Sequence, residues 1–337
     1  MKATPLVTVG MPLYNADFHL REALDSILAQ DYANFELVIS DNASSDATGS
    51  ICQAYAARDE RVTYHRSERN LGAVWNFNRV FELGQGEYFM WAAHDDLRAP
   101  QYLSSCVAAM EAHPEAVLCC TEIGFIDEDG KPVEPWTDLS GIRPVGATVR
   151  ARVSAIARAR YWWDYYGLIH ARVLARTRRA QPVWGFDVVV LMELCLRGPV
   201  LLVPEKLFCY RVSTEKTQQH MAVTLGTSAG LGPIPVNWSS MTLELARSVW
   251  LAPLGLPRRL ALIVQLMAQF CAFNGPVGSS IKKDVIPNVS AAWADRRIGR
   301  LAALLVIAGM VFALQNRVGR GGYRLMRRLR RALPLRA

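Results

Sequence analysis

The chain has 337 residues, 51% of them hydrophobic and 20% charged, with 38 Lys+Arg against 30 Asp+Glu for a net charge of +8. This excludes a disordered chain, a collagen-like repeat and a small disulfide scaffold, and the length allows one or two domains with a substantial apolar core. The charge is unevenly placed: residues 1–215 carry 21 basic and 27 acidic side chains, residues 216–337 carry 17 and 3, so the C-terminal third is suited to an anionic partner. Seven cysteines, with no CxxC pair, lie scattered in apolar segments and read as reduced core residues of a cytosolic protein. Met1 to Pro5 passes straight into a strand-like run, so no secretory leader is expected.

In chain order, Leu6 to Pro12 is a β-branched run ended by proline, and Leu20, Ala23, Leu24, Ile27 and Leu28 then fall at helical spacing. Phe35 to Ser40 reads as a second strand, closed by the turn cluster Asp41 to Asp46, with a helix over 51–57. A third strand is expected at 61–65, a helix at 73–83, and a fourth strand at 88–92 ending on His94-Asp95-Asp96. The β-α-β-α-β-α-β rhythm predicts an α/β fold with a mainly parallel sheet and helices on both faces. Such sheets bind ligands at the carboxyl ends of their strands.

The rhythm continues with a helix after Gln101, a strand at 116–120 and a turn at Asp127 to Gly130. Residues 131–150 read as loop, 151–174 as a segment that begins with a basic helix and holds an aromatic cluster (Tyr161, Trp162, Trp163, Tyr165, Tyr166), and 184–197 as a helix. Short strands are expected at 200–203 and 207–211, a long mobile loop at 216–240 and only helices over 241–337. The expected division is a sheet domain over 1–215, the loop, and a basic helical region.

Within that region, the apolar stretches 260–273 and 301–314 fall short of the roughly 20 residues needed to span a bilayer. The second is flanked by arginines, and in 323–333 Leu325, Met326, Leu329 and Leu333 line one helical face while arginines fill the rest. This is the pattern of an interfacial helix on anionic lipid, and it places the chain on the cytoplasmic face of a membrane. The alternative is a helix hairpin packed on the domain with a solvated basic tail. No recognised nucleic-acid fold is present, so nucleic acid is not an expected partner.

Acidic residues stand where strands end: Asp41, Asp95-Asp96, and Asp187 at a helix start. Acids there can bind ligand hydroxyls, hold a cation or take a proton, although an aspartate in a turn, such as Asp46, also serves as a cap. Adjacent carboxylates repel unless neutralised, and a hard cation with phosphate co-ligands does this. The first strand is followed by Gly10-Met11-Pro12-Leu13-Tyr14-Asn15, with no G-x-G-x-x-G and no Walker loop. A dinucleotide-dependent dehydrogenase is thereby disfavoured. No G-x-S-x-G elbow or H-E-x-x-H helix occurs either.

Several ordered motifs over residues 6–212 resemble the inverting family-two glycosyltransferases of the GT-A fold. Val7 to Asn15 is similar to the opening strand and P-x-Y-N turn, and Phe35 to Asp46 to the second strand with its D-[DN]-x-S-x-D turn. Asn70-Leu71-Gly72 with Asn78 is similar to the N-x-G…N segment, and Gly86 to Asp96 to the strand leading to the acidic motif. Phe186-Asp187 followed by Leu196-Arg197-Gly198 and Tyr210-Arg211 resembles the segment that begins with the base. Ala93 and Phe186 stand where the resemblance has acids, and no His closely follows Tyr210-Arg211.

The resemblance implies transfer from a nucleoside-diphosphate sugar to a hydroxyl of a lipid-linked or envelope-glycan acceptor. It implies Asp187 as the base and Pro12, Tyr14, Asn15, Asp41, Asn70 and Asp95 at the donor. Asp95 and Asp96 would hold Mg²⁺ or Mn²⁺. Trp163, Tyr166, Gly167 and Trp184 are candidates for the acceptor, although at helical spacing the aromatics read equally as core. His94 and His170 read as structural. A catalytically inactive module of the same fold, tethering an assembly at the membrane, is the alternative.

Overall fold

The opening run Val7-Thr8-Val9-Gly10-Met11 is buried on both faces, as a central parallel strand requires. In the computed structural model, which describes residues 4–134, 148–159, 162–212 and 238–272, this run is β1 (Val7–Leu13), flanked on both sides by parallel neighbours. They are β2 (Phe35–Asp41), with Val7 opposite Phe35, and β4 (Tyr88–Trp91), with Val7 opposite Tyr88. β3 (Val62–Arg66) lies outside β2. The connecting helices are α1 (Leu20–Leu28), α2 (Thr48–Arg58) and α3 (Ala73–Leu83). α1 buries Leu20, Ala23, Leu24 and Ile27 of the stripe its spacing predicts, and Leu28 is half-buried.

The sheet order is β3-β2-β1-β4-β8-β6-β9-β5, with β7 (Pro132–Val133) paired to β6 (Leu118–Ile126). The long pairings are parallel. The antiparallel ones, made by β5 (Leu97–Arg98), β7 and β8 (Leu168–His170), span two residue pairs each. Those three strands are too short to leave a period in the sequence, and none is expected from it. The two strands expected at 200–203 and 207–211 are one strand, β9 (Val200–Arg211). It follows β6 in parallel, with register shifts on either side of Glu122 that accommodate Pro204-Glu205. Proline cannot donate to a ladder, so a bulge is where the strand tolerates it. β6 runs to residue 126 rather than ending at 120, and α4 (Tyr102–Ala112) precedes it.

The chain divides into two compact units. The first comprises residues 1–140, 163–182 and 198–235 and holds the sheet, α1 to α4 and the one-turn α6 (Ala171–Leu174). The second comprises residues 141–162, 183–197 and 236–337. Its described elements are α5 (Val149–Arg158), α7 (Phe186–Cys195), α8 (Trp238–Leu251) and α9 (Leu256–Ala272). No described helix is long and apolar enough to cross a membrane. Most of the expected loop at 216–240, the 301–314 stretch, the face made by Leu325, Met326, Leu329 and Leu333, and Tyr161 lie outside the described residues.

Six of the seven cysteines have described side chains. Cys52, Cys106, Cys119, Cys120 and Cys195 are buried and unbridged, and Cys209 is half-buried.

Candidate functional site

Because β1 is hydrogen-bonded to β2 on one side and β4 on the other, the chain segments leaving these three strands emerge side by side. The segment after β1 is locked to the one after β2. Asn15, at φ 48°, accepts from the Ser45 backbone N–H at 2.8 Å, while its own N–H donates to Ser44 Oγ at 2.9 Å. Thr48 Oγ1 accepts from the Ala16 N–H at 2.8 Å, and Asp46 accepts from the Thr48 N–H at 3.0 Å, an Asx turn that leads into α2. Ala43 sits at φ 64°, a conformation costing roughly 1–2 kcal/mol for a residue with a Cβ, and these bonds hold it there. Tyr14 is 38% exposed and Pro12 is half-buried.

Asp41 is fully buried. Its Oδ1 accepts from the Ser44 N–H at 2.8 Å; its Oδ2 accepts from Tyr64 Oη at 2.7 Å and Arg66 Nη1 at 2.6 Å. Burial, followed by the hydrogen bond to Asp41, pushes the Tyr64 phenol up to about 12. Arg66 also donates to the Ser44 carbonyl at 2.6 Å. Asp41 thus organises its turn from within, and the Arg66 guanidinium is the group that carries this cluster to solvent.

Asn42 donates to Asn70 Oδ1 at 2.8 Å and accepts from the Leu71 N–H at 2.9 Å, which fixes the 70–72 loop. Asn76 is 3% exposed and donates to the carbonyls of Leu13 and Ser40 at 3.1 and 3.0 Å, tying the ends of β1 and β2 together. Asn78 instead exchanges hydrogen bonds with the Ala180 backbone.

After β4, the two carboxylates of the acidic pair differ. Asp96 is 3% exposed, and its Oδ1 accepts from the Arg211 N–H at 3.0 Å. Burial, and then the charge of Asp95, hold its carboxyl well above the usual range against the opposing Arg98 guanidinium. Asp95 is more accessible, with its Oδ1 4.0 Å from His94 Nδ1. Arg211, buried at the end of β9, locks the segment. Its Nε donates to the Asp95 carbonyl at 2.8 Å, Nη1 to the carbonyls of Asp127 and Glu128 at 3.0 and 2.9 Å, and Nη2 to Glu22 at 2.7 Å. Among the described residues no cluster of three or more His, Cys, Asp or Glu could hold a metal by itself. One accessible carboxylate does suit a hard cation that takes its remaining ligands from a diphosphate and water.

The expected acceptor residues of the first unit pack against the sheet. Trp163 meets Phe125 and Tyr210 with ring centroids 5.3 and 5.4 Å apart, and Tyr166 meets Phe208 at 6.1 Å. Tyr165 is core, stacked on the buried Trp91 at 4.3 Å and 10°. His170 is buried against Tyr88 at 4.7 Å, a structural place as expected. Gly167 is accounted for by packing. A Cβ there would lie 2.7 Å from the Cys119 carbonyl oxygen and 2.7 Å from Leu118 Cδ1. Gly167→Ala is therefore expected to cost about 1–3 kcal/mol by overpacking. A thermal melt checks this; an unchanged midpoint would mean that strands β6 and β8 part freely at this point.

In the second unit, Asp187 occupies the first turn of α7, after Gly185 at φ 75° and beside the half-buried Trp184. Substituting Gly185 would strain that backbone and drive a Cβ to 2.5 Å from Met241 Sδ. Asp187 is partly accessible, yet surrounding protein desolvates its carboxyl and pushes the pKa up to about 6, against the opposing backbone N–H groups of Val188 and Asp187 itself. A carboxylate titrating near there is suited to accepting a proton at neutral pH.

Arg211 and Asn76 carry positioning duties that the sequence reading did not assign. A signal existed for Arg211: a lone arginine at the end of the apolar strand Leu207-Phe208-Cys209-Tyr210 must be paired if it is buried.

Residues 8–161 match the family model described as Glycosyl transferase family 2. The putative glycosyltransferase EpsE of Bacillus subtilis is 31% identical over 192 residues, covering 54% of this chain and 66% of that protein. An uncharacterized protein of Sinorhizobium fredii is 38% identical over 128 residues, covering 37% of this chain and 14% of its own length. The chain thus spans less than two thirds of these curated relatives. Among solved structures, S. aureus TarS 1-349 in complex with UDP-GlcNAc superposes with a TM-score of 0.64 at 15% identity, covering 99% of this chain and 93% of that one. The mannosyltransferase PcManGT from Pyrobaculum calidifontis, in complex with GDP-Man and Mn2+, gives a TM-score of 0.51 at 20% identity, covering 94% and 89%. The mainly parallel sheet agrees with the GT-A fold of these neighbours, and residues 8–161 of the chain match glycosyl transferase family 2.

Proposed function

We propose that the chain is an inverting glycosyltransferase, moving a sugar from a nucleoside-diphosphate sugar to a hydroxyl of a lipid-linked or envelope-glycan acceptor. The observation that carries this reading is the acidic segment locked by Arg211 at the end of β4, beside the interlocked ends of β1 and β2. Donor-class ligands of the structural neighbours, UDP-GlcNAc and GDP-Man, support a nucleoside-diphosphate sugar. Pro12, Tyr14 and Asn15 would form one wall of the donor site, and Asn70 and the Asp41–Arg66 pair another. Asp95, backed by Asp96, would hold Mg²⁺ or Mn²⁺; when bound, such a cation offsets charge on the leaving diphosphate.

In the displacement, the acceptor oxygen forms a bond to the anomeric carbon as the bond to the diphosphate breaks. The hydroxyl proton passes to the Asp187 carboxylate. The backbone N–H groups at the start of α7 orient that carboxylate, and burial keeps it basic. Trp163, Tyr166 and Trp184 remain candidates for packing against acceptor sugar faces.

The chain would work at the cytoplasmic face of a membrane, where a basic C-terminal region of 17 Lys+Arg against 3 Asp+Glu over residues 216–337 is attracted to anionic lipid. Attachment raises the local concentration of a membrane-bound acceptor.

The test is a thermal-shift panel of UDP-, GDP- and dTDP-sugars with Mn²⁺ or with excess EDTA, followed by detection of released nucleoside diphosphate. Stabilisation by one nucleotide class, dependent on the cation, is expected. Full stabilisation in EDTA would remove the cation from the proposal. Absence of stabilisation by any nucleotide would overturn the donor assignment and favour the tethering module.

A further inference from the structure

In the second unit, the two large apolar side chains left exposed among the described residues both lie in one turn. Leu251, at the end of α8, is 53% exposed, and Leu256, at the start of α9, is 48% exposed. The inward faces of these helices carry a separate core of Met241, Leu245, Val249, Leu262, Ile263, Leu266 and Met267, so neither leucine is needed to hold the pair together. Pro253, Gly255 and Pro257 are exposed between and beside them. The turn is built: the Arg258 N–H donates to the Gly255 carbonyl at 3.0 Å, and Arg259 reaches back to the Leu254 and Trp250 carbonyls at 2.5 and 2.9 Å. The Trp250 carbonyl at the end of α8 is thereby satisfied from within the turn, and the leucines are held outward.

Charge identifies the occupant. The described part of this unit has seven arginines (150, 152, 158, 197, 247, 258 and 259) and three acids. Of those acids, Glu193 is buried and accepts from Ser248, and Glu244 pairs with Arg247 at 3.6 Å. Arg150, Arg158 and Arg258 are exposed. A stable protein partner needs about 800 Å² from each side, more than two half-exposed leucines supply. An anionic bilayer needs no shape complementarity: leucines enter the boundary between headgroups and acyl chains, and arginines meet the phosphates.

We propose that the turn between α8 and α9 is a lipid-docking wedge, with Leu251 and Leu256 entering an anionic bilayer surface and Arg258 on its headgroup phosphates. The wedge rests on the membrane attachment proposed above and names the element that performs it.

The experiment is co-sedimentation of the full chain with vesicles of phosphatidylcholine alone or doped with phosphatidylglycerol. The wild type is expected to partition onto the doped vesicles. The double substitution Leu251→Ser, Leu256→Ser is expected to weaken partitioning about tenfold or more, with an unchanged melting temperature because both side chains are already exposed. Leu256→Trp is expected to tighten it at an unchanged melting temperature, which excludes binding through an exposed core. A parallel variant of the same chain replaces Arg327, Arg328, Arg330 and Arg331 with Gln.

If the wild type binds neither vesicle, membrane attachment and the wedge fail together. If the leucine variants bind as the wild type does while the arginine variant is released, attachment stands and the wedge is overturned. A leucine variant that changes the oligomeric state in velocity sedimentation while leaving vesicle binding intact also overturns it, in favour of a contact between copies of this chain.

Discussion

Asp187→Asn is expected to reduce sugar transfer by about 10²–10⁴-fold while making the protein more stable at neutral pH. Asparagine keeps the shape of the side chain and its place at the start of α7 but cannot accept the proton. The stability gain follows from the direction of the shift. The Asp187 carboxyl titrates near 6 in the folded chain, against an ordinary value of 3.8, because burial disfavours its ionised form. Between those values the folded state holds more proton than the unfolded state, so stability is lost as pH rises through that window and stays lost above it. The full shift corresponds to about 3 kcal/mol, and partial accessibility reduces the expected gain to about 1–2 kcal/mol.

Two measurements check this. In thermal unfolding, the variant should melt above the wild type at pH 7.5, and the difference should shrink as pH approaches 4. In transfer assays, the wild-type rate should fall as pH drops below about 6, where the base becomes protonated. A variant within a few-fold of wild-type turnover would remove Asp187 from the base role. A less stable variant would mean that the carboxylate is structural.

Arg211→Met is expected to destabilise the sheet unit by about 3–5 kcal/mol, because three carbonyl oxygens, of Asp95, Asp127 and Glu128, lose their charged donor at once. Methionine has about the right length and no donor. Arg211→Lys should recover part of the loss, since one ammonium can serve some of these carbonyls but cannot reproduce the planar fork. Glu22→Gln is the control. Although Glu22 accepts from the same guanidinium at 2.7 Å, its side chain is 54% exposed, so its loss should cost under about 1 kcal/mol. The melting temperatures should rank wild type, Glu22→Gln, Arg211→Lys and Arg211→Met in descending order. A midpoint for Arg211→Met within two degrees of wild type would show that the acidic segment holds its shape without the clamp.

Much of the sheet unit was determined by local sequence alone. The buried run of β1, the stripe Leu20, Ala23, Leu24, Ile27 of α1, and the turn residues after Ser40 each express their structure through periodicity or turn chemistry within a few residues. Acids at the ends of strands could be read as site candidates for the same reason, since strand ends are visible where an apolar run meets polar residues. The family motifs then placed Asp95, Asp96 and Asp187 in order along the chain.

What only the tertiary structure decided depends on partners far away in sequence. Arg211 meets Asp95 and Asp96 across more than a hundred residues, and Asn76 reaches back to the carbonyls of Leu13 and Ser40. The two-residue pairings of β5, β7 and β8 have no period to detect, and the bulge that joins 200–203 to 207–211 exists because β6 lies alongside. Burial also separates residues that look alike in sequence. Asp95 and Asp96 are neighbours of one type, yet one is accessible and the other accepts an interior N–H, and Asp41 is consumed by Tyr64 and Arg66. Hydrogen bonds and desolvation act through space, and a chain shows only what is adjacent along itself.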